Sequence, residues 1–210
     1  SYISTFTIPA DGSTITAVES LEHDTTNSKH NSLVQVDADT YALAYEGDGQ
    51  DGFISTFTIS ADGTTITEVE SLEHDAANGR YNSLVQVDSG TYALAYVGED
   101  NDGFISTFDI DSAGNITPIR IQNHVIEGGI ENFEHDAAQA MYNSLVQVDS
   151  DTYALAYAGA DADGFITSFS IASVGSSITE VAGAILEHDD GDGKYNSLVQ
   201  VDSDTYALAY

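Results

Sequence analysis

The chain has 210 residues, 41% of them hydrophobic, so it can bury a sizeable core. Its 35 acidic and four basic residues give a formal net charge of −31, which disfavours nucleic-acid partners and anionic membranes and suits a marine or halophilic setting. Cysteine is absent, which excludes disulfides and thiolate metal sites. No apolar run approaches the roughly 18 residues of a membrane span, so we expect no membrane insertion.

One segment recurs four times along the chain. It reads SLVQVDSDTYALAY in its last copy, and the copies begin at Ser32, Ser83, Ser144 and Ser197, which are 51, 61 and 53 residues apart. Each copy holds two short apolar runs joined by an Asp-containing turn, a pattern typical of a β-hairpin. A GFISTFTI-type run and a more polar TITEVESLE-type run follow the first copies. Each repeat therefore predicts four short strands.

The faces of these strands predict how the repeats pack. In TYALAY, the second apolar run of each repeat, alternate side chains lie on opposite faces, so Tyr92, Leu94 and Tyr96 share one face. Ala93 and Ala95 share the other. Four short antiparallel strands repeated about every 50 residues predict a β-propeller, in which the bulky face of one blade packs on the alanine face of its neighbour. We expect the NSLVQV run to be innermost and the TITEVES run outermost.

The chain starts at the third strand of one repeat and stops after the second strand of another. We therefore predict an all-β, four-bladed β-propeller of four-stranded antiparallel blades, with the ring closed by N-terminal and C-terminal strands that share one blade. The single domain of residues 1–210 then divides into blades at 28–75, 79–136 and 140–189 and a composite blade of 193–210 with 1–24. The alternative is a piece of a larger array.

A resemblance supports the fold. The segment NSLVQVDSDTYALAY and the DGFISTF strand that follows its earlier copies resemble the propeller repeats of secreted and cell-surface microbial proteins. The resemblance implies a propeller fold and an extracellular or cell-surface location. The four-bladed ring would be similar to a hemopexin-like domain in size only.

The repeat that begins at Gly103 carries an insertion at 111–132. We interpret it as a longer excursion of the outer strand, because insertions in repeats map to loops or edges. Only this insertion breaks the symmetry strongly enough to suggest an enzyme. A glycosidase or lyase would then use His124, Glu127 and Glu131.

An EHD triplet ends each outer-strand run. Its histidines are His23, His74, His135 and His188. A histidine beside carboxylates is compatible with a metal site or with acid–base catalysis. Four copies in four different blades favour a structural role instead, in which the histidine contacts the neighbouring blade.

Acidic glycine loops join the second and third strands. Their aspartates are Asp48, Asp51, Asp100, Asp102, Asp161 and Asp163. Alternating carboxylates followed by glycine can bind calcium, the one cofactor that the sequence suggests. Asp-Gly is also preferred in tight hairpins, so turn geometry alone is the alternative.

Basic residues are concentrated at one repeat position. Lys29, Arg80 and Lys194 each lie six residues after an EHD histidine. The residues that follow this position are His30, Tyr81, Tyr142 and Tyr195. We predict that these seven residues form a ligand-binding surface at one mouth of the axis, where cations attract anionic groups. The alternative is that each cation neutralises its acidic neighbours.

These observations favour a non-catalytic, multivalent recognition or adhesion module rather than an enzyme. We expect a monomer whose partner is a glycan or another cell-surface group. The first alternative is a purely structural repeat segment of a large surface protein. The glycosidase or lyase that uses the insertion is the second.

Overall fold

The computed structural model describes residues 1–26, 28–121, 125–127 and 130–210. Within these ranges the fold is all-β, with eighteen strands and three one-turn 3-10 helices. None of the described helices is long and apolar enough to span a membrane. The 3-10 helices are the acidic loops between the second and third strands of a repeat, at Asp48–Gln50, Glu99–Asn101 and Ala160–Ala162.

Three complete blades form the middle of the molecule. The first blade pairs β3 (Lys29–Gln35), β4 (Thr40–Glu46), β5 (Gly52–Ile59) and β6 (Ile66–Asp75) in that order. The second blade contains β7 (Arg80–Asp88), β8 (Thr91–Val97), β9 (Gly103–Ile110), β10 (Ile116–Pro118), β11 (Val125–Glu127) and β12 (Ile130–Asp136). The third blade pairs β13 (Met141–Gln147), β14 (Thr152–Ala158), β15 (Gly164–Ile171) and β16 (Ile178–Asp189). The strand order places the NSLVQV run at one edge and the polar run at the other, as predicted.

Two half-blades flank these blades. The N-terminal half-blade pairs β1 (Tyr2–Thr7) with β2 (Thr16–Glu22), and the C-terminal half-blade pairs β17 (Ser197–Asp202) with β18 (Thr205–Ala209). The predicted composite blade of 193–210 with 1–24 is not formed, because these are two separate sheets and no ladder among the described residues joins β1 to β18. Each half-blade is held by the complete blade beside it. The described residues thus form five sheets, none of them closed on itself, and the predicted four-bladed ring is not confirmed.

The blades pack as their face patterns predict. Tyr92, Leu94 and Tyr96 of the second blade form one buried cluster with Ala42 and Ala44 of the first. The same arrangement recurs one blade further on, where β14 packs on the alanines of β8. Large rings on one face thus fill the space left by small side chains on the next, which gives close packing.

Two hydrogen bonds recur between neighbouring sheets. In the serine joint, a serine Oγ on one inner strand accepts from a leucine N–H on the next. Its pairs are Ser32–Leu84, Ser83–Leu145 and Ser144–Leu198, each at 2.9 Å. In the threonine joint, a hydroxyl on a third strand donates to the carbonyl of a turn glycine in the next sheet. Its pairs are Thr5–Gly63, Thr56–Gly114 and Thr107–Gly175, at 2.7, 2.6 and 2.8 Å.

The insertion at 111–132 divides the outer strand of the second blade. β10 pairs with one end of β9, from Ile116 opposite Ile110, and β12 pairs with the other, from Phe133 opposite Ile105. β11 pairs with β12 on the outside. The insertion thus extends the outer edge, as the sequence predicted.

Candidate functional site

A stack of four rings lies where the inner strands begin. We call His30, Tyr81, Tyr142 and Tyr195 the aromatic ladder, because the centroids of successive rings are 4.1, 4.5 and 4.4 Å apart. All four residues have left-handed backbones, with φ values of 53°, 53°, 57° and 59°. A bulky residue rarely adopts this conformation, which costs on the order of 1 kcal/mol.

A β-bulge explains this backbone. The pairing of the inner strand with its neighbour shifts register between Lys29 and Ser32, and the second and third blades shift at the equivalent place. The extra residue of a bulge leaves the regular ladder and redirects its side chain. The next residue is an asparagine, and the Asn82 Nδ2 donates to the Gly79 carbonyl at 2.9 Å, which closes the turn.

The ladder forms one wall of a shallow depression of about 240 Å³. Its lining alternates ring and amide in every repeat: His30, Asn31, Tyr81, Asn82, Tyr142, Asn143, Tyr195 and Asn196. Aromatic walls with a few placed polar groups are typical of small-molecule sites. The structure therefore brings the four predicted ring residues into one site.

The first repeat adds a feature that the others lack. His30 Nδ1 lies 2.7 Å from Glu46 Oε2, and the Glu46 side chain is almost fully buried. Burial lowers the pKa of His30, while Glu46 opposes this shift and Arg80 and Lys29 add to it. His30 is therefore mainly neutral at neutral pH. A carboxylate only accepts hydrogen bonds, so the Nδ1–H donates to Glu46 and Nε2 keeps its lone pair.

The three predicted cations lie beside the ladder, each with its own polar neighbour. Lys29 Nζ is 4.0 Å from Glu46, and Lys194 Nζ is 2.9 Å from the Asp192 carboxylate. Arg80 donates from one terminal nitrogen to Asn101 at 2.6 Å, and its guanidinium lies 6.0 Å from the Tyr81 ring centroid. Its Nε is buried without a hydrogen-bond partner among the described residues. Ligand binding by these residues stays a prediction.

The acidic loops are closed by their own backbone. In the first loop the Gly47 N–H donates to the Asp51 carbonyl at 2.8 Å, and Asp51 N–H donates to Asp48 at 3.2 Å. Asp102 and Asp163 occupy the place of Asp51, whereas Asp100 and Asp161 occupy the place of Gly49 rather than that of Asp48. Burial, together with the charges of Asp100 and Asp136, raises the pKa of Asp102. Across the described ranges, no group of three His, Asp or Glu side chains could hold a metal ion, and calcium binding stays a prediction.

The EHD histidines are packing residues. His74 meets Tyr96 of the next blade edge-on with the centroids 4.7 Å apart, and His135 meets Tyr157 in the same way at 5.1 Å. Burial lowers the pKa of His74 to about 3, and burial lowers that of His135 to about 4. Both are neutral at physiological pH. These contacts support the structural interpretation.

Glu46 is the site residue that the sequence analysis missed. The equivalent residues in the next two repeats are Val97 and Ala158. His30 replaces a tyrosine in the same repeat, so two departures from the repeat coincide. These two departures in one repeat are the sequence signal that could have identified Glu46. The alternative enzyme site at His124, Glu127 and Glu131 lies outside the described side chains.

Comparisons with known proteins show the fold but no family. No protein family matches the chain, and no curated protein matches it. Among solved structures, a putative 6-phosphogluconolactonase from Bacteroides fragilis matches with a TM-score of 0.62 and 13% identity, over 93% of this chain and 53% of that one. A protein from Lactobacillus plantarum matches with a TM-score of 0.59 and 15% identity, over 85% and 49%. A periplasmic gluconolactonase from Pseudomonas aeruginosa matches with a TM-score of 0.57 and 14% identity, over 89% and 55%.

These comparisons correct the functional expectation. The non-catalytic recognition module is contradicted, because two of the similar structures have enzyme names, gluconolactonase and putative 6-phosphogluconolactonase. The argument from symmetry excluded catalysis at the EHD triplets but did not consider the single His30–Glu46 pair. The chain spans about half the length of these structures. At such low identity, what the comparisons establish is a fold of propeller type.

Proposed function

We propose that this chain is part of a lactonase-type propeller hydrolase whose reaction takes place at the aromatic ladder. The observation that carries the proposal is the His30–Glu46 pair, with 2.7 Å between Nδ1 and Oε2. It occurs in one repeat only, beside a depression, and its imidazole is neutral. The enzyme names of two structures with the same fold support the same reaction class.

His30 acts as the general base. Lactone hydrolysis needs a water molecule that attacks the ring carbonyl carbon while its proton is removed. His30 Nε2 takes this proton as the water oxygen bonds to the carbonyl carbon, which leaves a tetrahedral oxyanion. When the oxyanion collapses, the bond to the ring oxygen breaks and the imidazolium returns its proton to that oxygen. The product is the open hydroxy acid, and His30 is neutral again.

Glu46 is a positioning residue. Its buried carboxylate holds Nδ1–H, which fixes the tautomer and leaves Nε2 available to the water. It also stabilises the positive charge that the imidazole acquires in the transition state. A charge that forms close to a buried partner is stabilised more strongly than one in water.

Arg80 and the ladder rings bind the substrate. The positive charge of Arg80 acts on His30 and attracts the oxyanion or an acidic group on the substrate. Tyr81 and Tyr142 offer apolar ring edges and hydroxyl groups to a sugar-derived lactone. A sugar lactone with a carboxylate or phosphate is the substrate class that this combination fits best.

The test is hydrolysis of glucono-δ-lactone and its 6-phosphate. A pH-stat measures the rate of acid release, and the rate of spontaneous hydrolysis is subtracted. His30→Gln and Glu46→Gln should each lower kcat at least about 100-fold, because positioned acid–base groups contribute about 10²- to 10⁴-fold. The double variant should be no worse than His30→Gln, since the two residues act as a unit.

Glu68→Gln is the matched control, because it makes the same change of charge on an exposed outer strand. It should keep the parent rate. A parent chain no faster than the spontaneous reaction, or a Glu46→Gln variant with the parent kcat, would refute the proposal.

Two further properties are part of the proposal. An extracellular, cell-surface or periplasmic location is supported by the charge of −31 and by the periplasmic gluconolactonase of Pseudomonas aeruginosa, which has a similar fold. Weak calcium binding in the acidic loops is supported by their paired aspartates. Calcium should then raise Tm more than magnesium at equal ionic strength. Equal shifts would indicate charge screening alone.

A further inference from the structure

Three tyrosines of the aromatic ladder form two close pairs of phenol rings. The centroids of Tyr81 and Tyr142 are 4.5 Å apart with the ring planes tilted by 57°, and those of Tyr142 and Tyr195 are 4.4 Å apart with a tilt of 48°. Aromatic pairs in proteins usually have their centroids about 4.5–7 Å apart, so both pairs lie at the short end of this range. The facing edges of neighbouring rings are therefore close to van der Waals contact.

The hydroxyl ends of these rings also meet. The Tyr142 hydroxyl interacts with the hydroxyls of both Tyr81 and Tyr195. In a phenol, the carbons ortho to the hydroxyl group lie directly beside it on the ring. Two phenols that stack and whose hydroxyls interact thus have ortho carbons close to one another. These carbons are the positions at which two tyrosyl radicals combine.

The backbone fixes this arrangement in adjacent blades. Tyr81 and Tyr142 have left-handed φ values of 53° and 57°, at the bulge that their inner strands share. In the second blade the following residue, Asn82, donates from Nδ2 to the Gly79 carbonyl at 2.9 Å, and the third blade has the equivalent hydrogen bond at 3.0 Å. Rings that are held in contact in this way need little rearrangement to react.

The tyrosines inside the blades are paired differently. Tyr45 and Tyr157 each stack on a phenylalanine of the adjacent strand, with the centroids 5.6 Å apart. Tyr92 and Tyr153 are fully buried, and each accepts a hydrogen bond from a glutamine. Neither phenylalanine nor glutamine forms a radical under the mild oxidation that converts a phenol. Coupling of two phenols is therefore a property of the ladder.

The composition directs one-electron oxidation to tyrosine. The chain has twelve tyrosines and one methionine, and it has neither tryptophan nor cysteine. Tryptophan and cysteine are the side chains that most readily exchange a radical with tyrosine, so without them the radical stays on a phenol. The net charge of −31 keeps two chains apart at low ionic strength, which disfavours coupling between molecules. Both features favour coupling within one chain.

We infer that Tyr81 and Tyr142 form a dityrosine cross-link when a one-electron oxidant acts on the chain, and that Tyr142 and Tyr195 are the second pair. The link joins the inner strands of the second and third blades by a carbon–carbon bond. It takes the place that a disulfide would have in a chain with cysteine. This inference does not depend on the proposed hydrolysis.

The coupling removes two electrons and two protons from the chain. Each of two molecules of oxidant takes one electron from one phenol, and the hydroxyl proton passes to water. Burial raises the pKa of Tyr142, so this ring carries its proton at neutral pH before it is oxidised. The two radicals then form one bond between their ortho carbons. The hydrogen on each of these carbons moves to the phenol oxygen, with water as the carrier, which restores both aromatic rings.

The first experiment is oxidation of the chain at micromolar concentration and low ionic strength by a ruthenium tris-bipyridine complex, persulfate and visible light. This small one-electron oxidant reaches half-buried rings. The blue fluorescence of dityrosine should appear in material that remains monomeric on a denaturing gel. Its yield per chain should not change with protein concentration, whereas coupling between molecules would increase with it and would give covalent dimers.

Peptide mapping locates the link. Trypsin cuts after each of the four basic residues, and the peptides 81–120, 121–194 and 195–210 then contain one ladder tyrosine each. The principal product should join the first two of these peptides, with a mass lower than their sum by two hydrogen atoms. Fragment spectra should place the bond at Tyr81 and Tyr142.

Single phenylalanine variants test the pairing while keeping the rings. Tyr142→Phe removes the phenol that both pairs share, and it should lower the yield of monomeric dityrosine at least about tenfold, because the proximity of two phenols is lost. Tyr81→Phe should remove the principal link and leave the second pair. Tyr41→Phe is the matched control, since Tyr41 is half-buried like Tyr81 but lies opposite Phe57 in the first blade. It should keep the parent yield.

The oxidised monomer should also be more stable. A cross-link between residues far apart in the sequence lowers the entropy of the unfolded chain, so Tm should rise by at least about 5 °C. A parent that gives no monomeric dityrosine, or a Tyr142→Phe variant with the parent yield, would overturn the inference. Links that map to other tyrosines, or a linked monomer with an unchanged Tm, would also contradict it.

Discussion

The histidines that the structure describes are of two kinds. His74 and His135 recur with the repeat, are buried, and lie edge-on against a tyrosine of the next blade. His30 occurs once, lies at the edge of a depression, and is held by the carboxylate of Glu46. Burial lowers the pKa of all three, so a lowered pKa alone does not separate them.

The difference lies in what surrounds each ring. A histidine that packs in every blade has the same surroundings each time, and these surroundings stabilise the sheets. A histidine with a carboxylate on one nitrogen and open space beside the ring can move a proton. In a repeat protein, chemistry is therefore best sought where the repeat is broken at two neighbouring positions at once.

The largest expected effect comes from making the first repeat like the second. His30→Tyr with Glu46→Val introduces the residues found at Tyr81 and Val97. Lactone hydrolysis should fall at least about 100-fold, because the base and its partner are both lost. Tm should remain within about 3 °C of the parent, since each residue is tolerated at the same place in another blade. Loss of folding would show that the pair is structural.

Removing a histidine that recurs in every repeat should lower stability and leave activity unchanged. His74→Ala leaves a cavity beside Tyr96 and should destabilise the chain by about 2–4 kcal/mol, measured by urea unfolding. Activity per folded molecule should be unchanged. His188→Ala is the control, because His188 is less buried and should lower stability less. Equal losses at both positions would contradict the packing role.

The buried histidines also predict how stability responds to acid. The pKa of His74 is lowered to about 3 and that of His135 to about 4. The unfolded chain takes up these protons near pH 6.5, so their contribution is fully present above that pH and is lost as the pH falls towards 4.

Between pH 7 and pH 5 each buried histidine should account for a loss of about 2 kcal/mol, an upper estimate. The comparison is with His74→Phe and His135→Phe, which lack the titrating group and share the carboxylates. The difference between parent and variant in urea unfolding at each pH isolates the histidine. A constant difference across this range would refute the linkage.

The smallest expected effect on stability is at the three cations. Changing Lys29, Arg80 and Lys194 together to Gln should move Tm by no more than about 2 °C, because Lys194 makes one exposed ion pair, Lys29 is solvent-exposed 4.0 Å from Glu46, and Arg80 bonds only a neutral amide. The KM for a phosphorylated lactone should rise and lose much of its dependence on salt, whereas that for the neutral lactone should change less. Equal effects on both substrates would mean that the cations only balance charge.

Much of the fold follows from short-range patterns. The alternation in TYALAY predicts the two faces, and Tyr96 does pack on the alanine face of the preceding blade. The position of the aromatic ladder follows from repeat equivalence. Closure of the ring does not follow from these patterns. It depends on the small angles between neighbouring blades, which accumulate over several blades and are not encoded by any alternation of residues. Thus β1 and β18 have matching sequences and still lie in separate sheets.

The candidate site was predictable only in part. His30 and Arg80 were identified from their repeat position. Glu46 was not, because it ends a strand whose other copies are apolar, and a single acidic residue in a chain with 35 of them is inconspicuous. Its significance depends on a side-chain distance to His30, across a strand pair and a bulge. Such a distance follows from register, which requires the structure.

The serine and threonine joints have a consequence for how such a protein can change over generations. Successive sheets are joined by the same serine–leucine and threonine–glycine hydrogen bonds, three of each among the described residues, so these junctions are interchangeable with one another. Unequal recombination between near-identical repeats can therefore add or remove a whole blade while every new junction is one the chain has already made. Growth by whole units needs no new contact, and a new chemical site needs only two substitutions in one unit.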